Sequence, residues 1–178
     1  DPTYPEANAR HFTFMLEGIA DTERAAKKRG AHFAVRQGSP ADTASSIARD
    51  AAVVVCDRGY LRHLVRWRTL VAEAAPCLTE MVEGDVIVPV EVASPKQVYA
   101  ARTIRPKLLK LAPDFIDLPD PVDPMVTPRD LAHADDLDVA ATEALVKSLG
   151  VDGGGAPVGG FCGGPSEARQ RLEAFTGG

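Results

Sequence analysis

Cysteine is scarce in this chain of 178 residues, and the little there is forms no pattern. Cys56, Cys77 and Cys162 are far apart, odd in number and without a CxxC pair, which excludes a zinc site or dithiol redox centre built on paired cysteines. Three free thiols are expected, the first two buried on strands. Long apolar runs are also lacking: none approaches the roughly 20 residues that span a bilayer. Residues 1–8 have neither the basic start nor the apolar stretch of a secretory signal. These absences lead to the expectation of a soluble, cytoplasmic protein with no membrane contact.

A basic excess is missing as well. The formal net charge is -5, which gives no sign of nucleic-acid binding through phosphate neutralisation alone. That charge is unevenly divided. Residues 1–112 carry 16 Lys/Arg against 13 Asp/Glu, and residues 113–178 carry 4 against 12, so two segments with different roles are expected. The four histidines, His11, His32, His63 and His133, make no i, i+4 pair, and no serine or cysteine has an obvious base beside it in sequence. A hydrolytic site would have to be assembled from distant residues.

The chain has a clear periodic order. Phe12, Met15, Leu16 and Ile19 repeat at the helical period, predicting a first helix over about 6–29 that is closed by Gly30. His32–Arg36 reads as a strand. Ser39, Pro40 and Asp42 read as a capped start for a helix over about 40–50. The apolar run 52–56 suits a strand covered on both faces. Leu61, Leu64, Trp67, Val71 and Ala74 repeat as a helix, and a strand is expected over about 77–82. An extended stretch over 86–90 and a capped helix start at Ser94–Gln97, running towards Leu111, complete the alternation. This order predicts an α/β domain with a Rossmann-like parallel sheet wrapped by helices.

The remainder differs in character. Five prolines and four aspartates between Pro113 and Pro128 predict an extended linker. A helix over about 128–149 with Thr127 as its cap is expected next. The glycine-rich stretch 150–164 resists regular structure, and a further helix begins at Pro165. The expected division is a partial α/β domain over 1–112, an interdomain linker with one helix over 113–164, and the start of a truncated all-α domain over 165–178.

Three features invite a functional reading beside a plainer one. Residues 159–166 read GGFCGGPS, near a phosphate-binding loop, yet Pro165 stands where that loop has lysine and no strand precedes it, which favours an ordinary loop. Arg58, Arg62 and Arg66 recur every four residues, as a solvated helix face or as a patch for another domain or a phosphate. Asp57, followed by Gly59 and Tyr60, ends a strand, where it can form a turn or edge the crevice in which open parallel sheets bind ligands.

Three stretches together resemble class II cyclobutane-pyrimidine-dimer DNA photolyases: Tyr4–Asn8 with Phe14–Gly18; Val54–Arg58 through Leu61 and Arg62 to Trp67; and Val88–Pro89 with Glu91–Ser94 and Tyr99–Lys107. The last ordered string is the most specific. The likeness is strong over 4–115 and fainter over 149–151 and 163–167.

The resemblance implies light-driven repair, in which excited, reduced FAD donates an electron to a pyrimidine dimer and recovers it after the ring splits. It implies an antenna pigment, a deazaflavin or a folate, in the α/β domain. The positions matching pigment-contacting residues are Arg10 and Asp57, with Tyr60 added as a wall of the pocket. The family's upstream strands, its FAD site and its pocket for a flipped-out dimer are not encoded in these residues, so damaged DNA and the helical domain are expected as partners of the intact enzyme. The fragment alone is expected to be inactive and marginally stable, with unpaired sheet edges. The rival readings are a free-standing α/β module for a nucleotide-like small molecule and an inert truncated product.

Overall fold

The computed structural model describes residues 6–117, 120, 122–125, 136–151 and 158–177. The chain forms two compact units, one of residues 1–36 with 122–178 and one of residues 37–121.

In the first unit the central element is α1, Ala9–Lys28. Asn8 caps it reciprocally with His11: Asn8 Oδ1 accepts from the His11 N–H at 3.3 Å, and His11 Nδ1 accepts from the Asn8 N–H at 3.4 Å. Gly30 adopts a positive φ of 79°, the left-handed stop that the sequence predicts. Phe12, Leu16 and Ala20, four residues apart, put one stripe of α1 into the interior. Leu16 and Ala20 form a small core with the fully buried Val139, flanked by Ile19, Val35, Leu145 and Val146. The last two belong to α7, Thr142–Ser148. The last helix, α8, spans Pro165–Thr176 and also packs on α1.

The second unit carries the sheet. Helix α2, Pro40–Ile47, has Pro40 in its first turn, and a 3-10 turn over Ala48–Asp50 follows. Strand β1 is Val53–Asp57 and strand β2 is Leu78–Val82. They pair in parallel, with Val53 opposite Leu78 and Asp57 opposite Val82. Helix α3, Arg62–Ala74, makes the crossover that a parallel pair requires. It packs against α2, where Ala41, Ala48 and Val71 are buried. Beyond β2 come α4, Val90–Ala93; α5, Ala101–Leu111; and α6, Pro113–Ile116. The α/β character is therefore as expected, on a sheet of two parallel strands among the described residues.

Several local expectations are corrected. His32–Arg36 is not a strand: the Leu137 N–H donates to the Val35 carbonyl at 2.7 Å and Arg36 pairs with Asp136 at 2.9 Å, without a ladder alongside. Val86–Val90 is not a strand either, because Val90 already begins α4. Ser94 caps no helix. Its hydroxyl donates to the Lys96 carbonyl at 2.8 Å and accepts from the Lys96 N–H at 3.4 Å, a local turn that delays the helix to Ala101. Ser39 makes no side-chain cap. The expected linker opens with the short α6.

The expected helix over 128–149 is helical in its described part only from Thr142, and its start with the Thr127 cap lies outside the described residues. The strand over 52–56 is not covered on both faces, since Val53 and Val55 are exposed. Cys56 is half-buried on β1, Cys77 is half-buried just ahead of β2, and Cys162 is exposed; all three are free thiols.

Candidate functional site

The parallel register decides what stands at the carboxyl ends of the strands. With Asp57 opposite Val82, the next residues on each side are Arg58 and Glu83. The ladder continues by one bond, Arg58 N–H to the Val82 carbonyl at 2.7 Å. Asp57 Oδ1 then accepts from the Gly84 N–H at 3.1 Å, tying the turn after β2 to the end of β1. A Cβ at position 84 would lie 2.8 Å from that same oxygen, so a side chain there would require the Asp57 carboxylate to turn aside.

Glu83 gathers the polar groups of this strand end. Its Oε1 accepts from the Tyr60 hydroxyl and, at 3.0 Å, from the Val90 N–H at the start of α4. Its Oε2 lies 3.6 Å from Arg58 Nη1. Arg58 Nη2 donates to Glu91 Oε1 at 2.6 Å, and the guanidinium stands 5.8 Å from the centre of the Tyr60 ring. The bond to Glu91 holds the Arg58 pKa above its ordinary value and the Glu91 carboxyl below the usual carboxylate range.

Arg58, Tyr60 and Glu91 form the polar edge of a cleft of about 900 Å³. Its apolar lining includes Ile87, Val88, Val98, Ile104, Leu108 and Leu109, from the turn after β2, the segment between α4 and α5, and α5; Lys96 and Gln97 supply further polar groups. Ligand sites of small molecules have this make-up, a mostly apolar wall with a few placed polar groups, in volumes of about 300–1,000 Å³. The cleft's place beyond the ends of parallel strands is where open α/β sheets bind ligands.

Of the residues singled out from the sequence, Tyr60 lines this cleft and Asp57 braces the turn beside it. Arg10 belongs to the first unit and lines a different, smaller cleft of about 380 Å³ with His11, Thr13, Phe14, Glu17, Val158 and Phe161. Sequence reasoning did not reach Glu83 and Glu91. A signal for Glu83 exists, because the strand register puts it across from Arg58, but that register follows only once the two strands are paired. Among the described residues no group of three or more His, Cys, Asp or Glu could hold a metal ion, and no helix is long and apolar enough to cross a membrane.

The phosphate-loop-like stretch has a different use. The Gly163 N–H donates to Glu17 Oε2 at 2.8 Å. The Ser166 N–H and hydroxyl donate to Asp21 Oδ2 and Oδ1 at 2.8 and 3.0 Å. The donors a phosphate would need at the start of α8 are engaged by two carboxylates of α1.

The chain is similar to several known proteins. A deoxyribodipyrimidine photo-lyase of Methanothermobacter thermautotrophicus is 41% identical over 105 residues, covering 59% of this chain and 24% of the relative. Those of Potorous tridactylus and Arabidopsis thaliana are 34% and 31% identical, covering 65% and 62% of this chain and 22% and 23% of the relatives. The chain thus spans about a quarter of the length of the relatives it matches. Residues 1–126 match the family described as DNA photolyase, and the chain therefore belongs to the DNA photolyase family.

Proposed function

We propose that these residues are the light-harvesting α/β part of a class II photolyase and that the cleft beside Tyr60 holds its antenna chromophore, a deazaflavin or a folate. The observation carrying this reading is an apolar cleft of suitable size at the carboxyl end of a parallel strand pair, in a chain of the DNA photolyase family. In this reading Tyr60 is a wall of the site and Asp57 holds the turn that frames it; Arg10, proposed from the family likeness, lines its own cleft in the other unit. When bound, the chromophore would absorb light and pass its excitation to a flavin.

The repair step belongs to the intact protein. We place FAD, damaged DNA and the packing helical domain in polypeptide outside these residues, consistent with the small share of each relative that the chain matches. The chain alone is then inactive in dimer splitting, with 1–112 as the antenna portion, 113–164 as connection and 165–178 leading into the flavin domain, in a cytoplasmic enzyme. The test is to express the full reading frame and measure loss of cyclobutane dimers under blue light. Light-dependent reversal with bound flavin supports the reading; no light dependence and no flavin would defeat it.

The free-standing ligand module keeps one supporting observation, that the cleft is built entirely within residues 58–112. It differs in its outcome: the chain melts at higher temperature with a bound ligand, yet the full frame shows no light-driven repair.

A further inference from the structure

We infer that the cleft beside Tyr60 selects its ligand by charge and that Glu91 is the residue that sets the selection, favouring a neutral planar ring system over the same ring carrying a phosphate. The inference rests on the reading of that cleft as a ligand site. Arg58 is the cation an anionic ligand would first seek at the polar edge, but its guanidinium is shared between two carboxylates, Glu91 at 2.6 Å and Glu83 at 3.6 Å.

Arg58, Glu83 and Glu91 together leave one net negative charge around the guanidinium, and Lys96 on the cleft lining brings the four groups to neutrality. Tyr60 adds no free donor, because its hydroxyl is given to Glu83.

The two acids are not equivalent. The Glu83 side chain is 11% exposed and also accepts from the Val90 N–H, so it is fixed in the framework. The Glu91 side chain is 73% exposed, lines the cleft and bonds Arg58, so it can be substituted at little structural cost. Lys96 also lines the cleft and carries a positive charge. It is a flexible point charge, and it offers no substitute for the planar fork by which a guanidinium holds an oxyanion.

Removing the charge at position 91 frees one face of Arg58 and turns the balance of these four groups from neutral to positive. The bare ring meets only the apolar wall, so its binding is expected to be insensitive to this change.

The experiment is a fluorescence titration of the whole chain with riboflavin and with riboflavin 5′-phosphate, repeated with Glu91→Gln and Glu91→Ala. Melting curves of each protein establish that it is folded. In the unsubstituted chain riboflavin is expected to bind more tightly than its phosphate. Both substitutions are expected to tighten the phosphate about threefold to fivefold, the size of a partly exposed charge interaction, with riboflavin unchanged. Binding of both probes with the same preference in all three proteins would overturn the role of Glu91 and leave the cleft as a ligand site. No binding of either probe to any of them would overturn both.

Discussion

Asp21, in the middle of α1, caps the start of α8: Oδ2 accepts the Ser166 N–H at 2.8 Å and Oδ1 accepts the Ser166 hydroxyl at 3.0 Å. The capping group comes from another helix 145 residues away, so this contact is both a helix cap and a tertiary clasp. Arg24 bonds the same carboxylate at 3.0 Å, and the neighbouring Gly163 N–H is held by Glu17.

The pH dependence of this clasp follows from its donors. The Ser166 N–H and hydroxyl, with a smaller contribution from Arg24, hold the Asp21 carboxyl below its ordinary value. A carboxylate with a depressed folded-state pKa contributes stability that is present above its unfolded value, about 3.9, and is lost as pH falls through the lower folded value. Protection of the α8 amides, relative to their intrinsic exchange at each pH, is expected to be high near neutral pH and to fall below about pH 4. Asp21→Ala should show the lower protection at neutral pH already. Equal protection of α8 in both proteins at neutral pH would contradict the clasp.

Glycine at 163 is demanded by contact. A Cβ there would lie 1.9 Å from the Phe14 carbonyl oxygen, a backbone atom that cannot swing aside, whereas one at Gly159 would meet nothing within 4 Å. Gly163→Ala is expected to cost about 1–3 kcal/mol by forcing α8 off α1. Gly159→Ala should stay within about 0.5 kcal/mol of the unsubstituted chain. Denaturant melts of the two variants compare them directly; equal midpoints would refute the close packing.

Much of this architecture can be read from sequence, and the failures have a common cause. The α1 stripe, the Gly30 stop and the pairs of ends for β1, α3 and β2 follow from local periodicity and punctuation, which act within a few residues. His32–Arg36 and Val86–Val90 have the composition of strands, but a strand is completed by a neighbour, and Val35 meets Leu137 by a single recorded backbone bond instead. The same applies to the site. Asp57 stands out in the sequence because it ends a strand, with Tyr60 three residues on, while Glu83 and Glu91 meet partners that only folding brings near. The glycine-rich stretch looked nucleotide-like because its amides are indeed arranged for anions, and the anions are the chain's own.

Thiol chemistry should rank the cysteines by exposure. Cys162 is exposed, and Cys56 and Cys77 are half-buried with their sulfurs 3.5 and 3.8 Å from the Glu80 and Ala48 carbonyls. Under native conditions one thiol is expected to react with a maleimide well before the other two, and peptide mapping should identify it as Cys162. First labelling at Cys56 would contradict this order.

Leu109 offers a way to separate the cleft from the fold. It lines the cleft yet is 70% exposed, so Leu109→Glu should change stability by no more than about 0.5 kcal/mol. A carboxylate on the apolar wall is expected to weaken the binding of a neutral planar ligand about tenfold, or roughly 1.4 kcal/mol. Unchanged affinity would place the ligand elsewhere.

The most direct test of the whole account is the wavelength dependence of dimer repair by the protein made from the full reading frame, with and without Leu109→Glu. If the cleft is the antenna site, the unsubstituted protein repairs under light absorbed by a second pigment as well as by the flavin, and the substitution removes the pigment's band while the flavin's remains. Identical action spectra from the two proteins, or no repair at any wavelength, would contradict it.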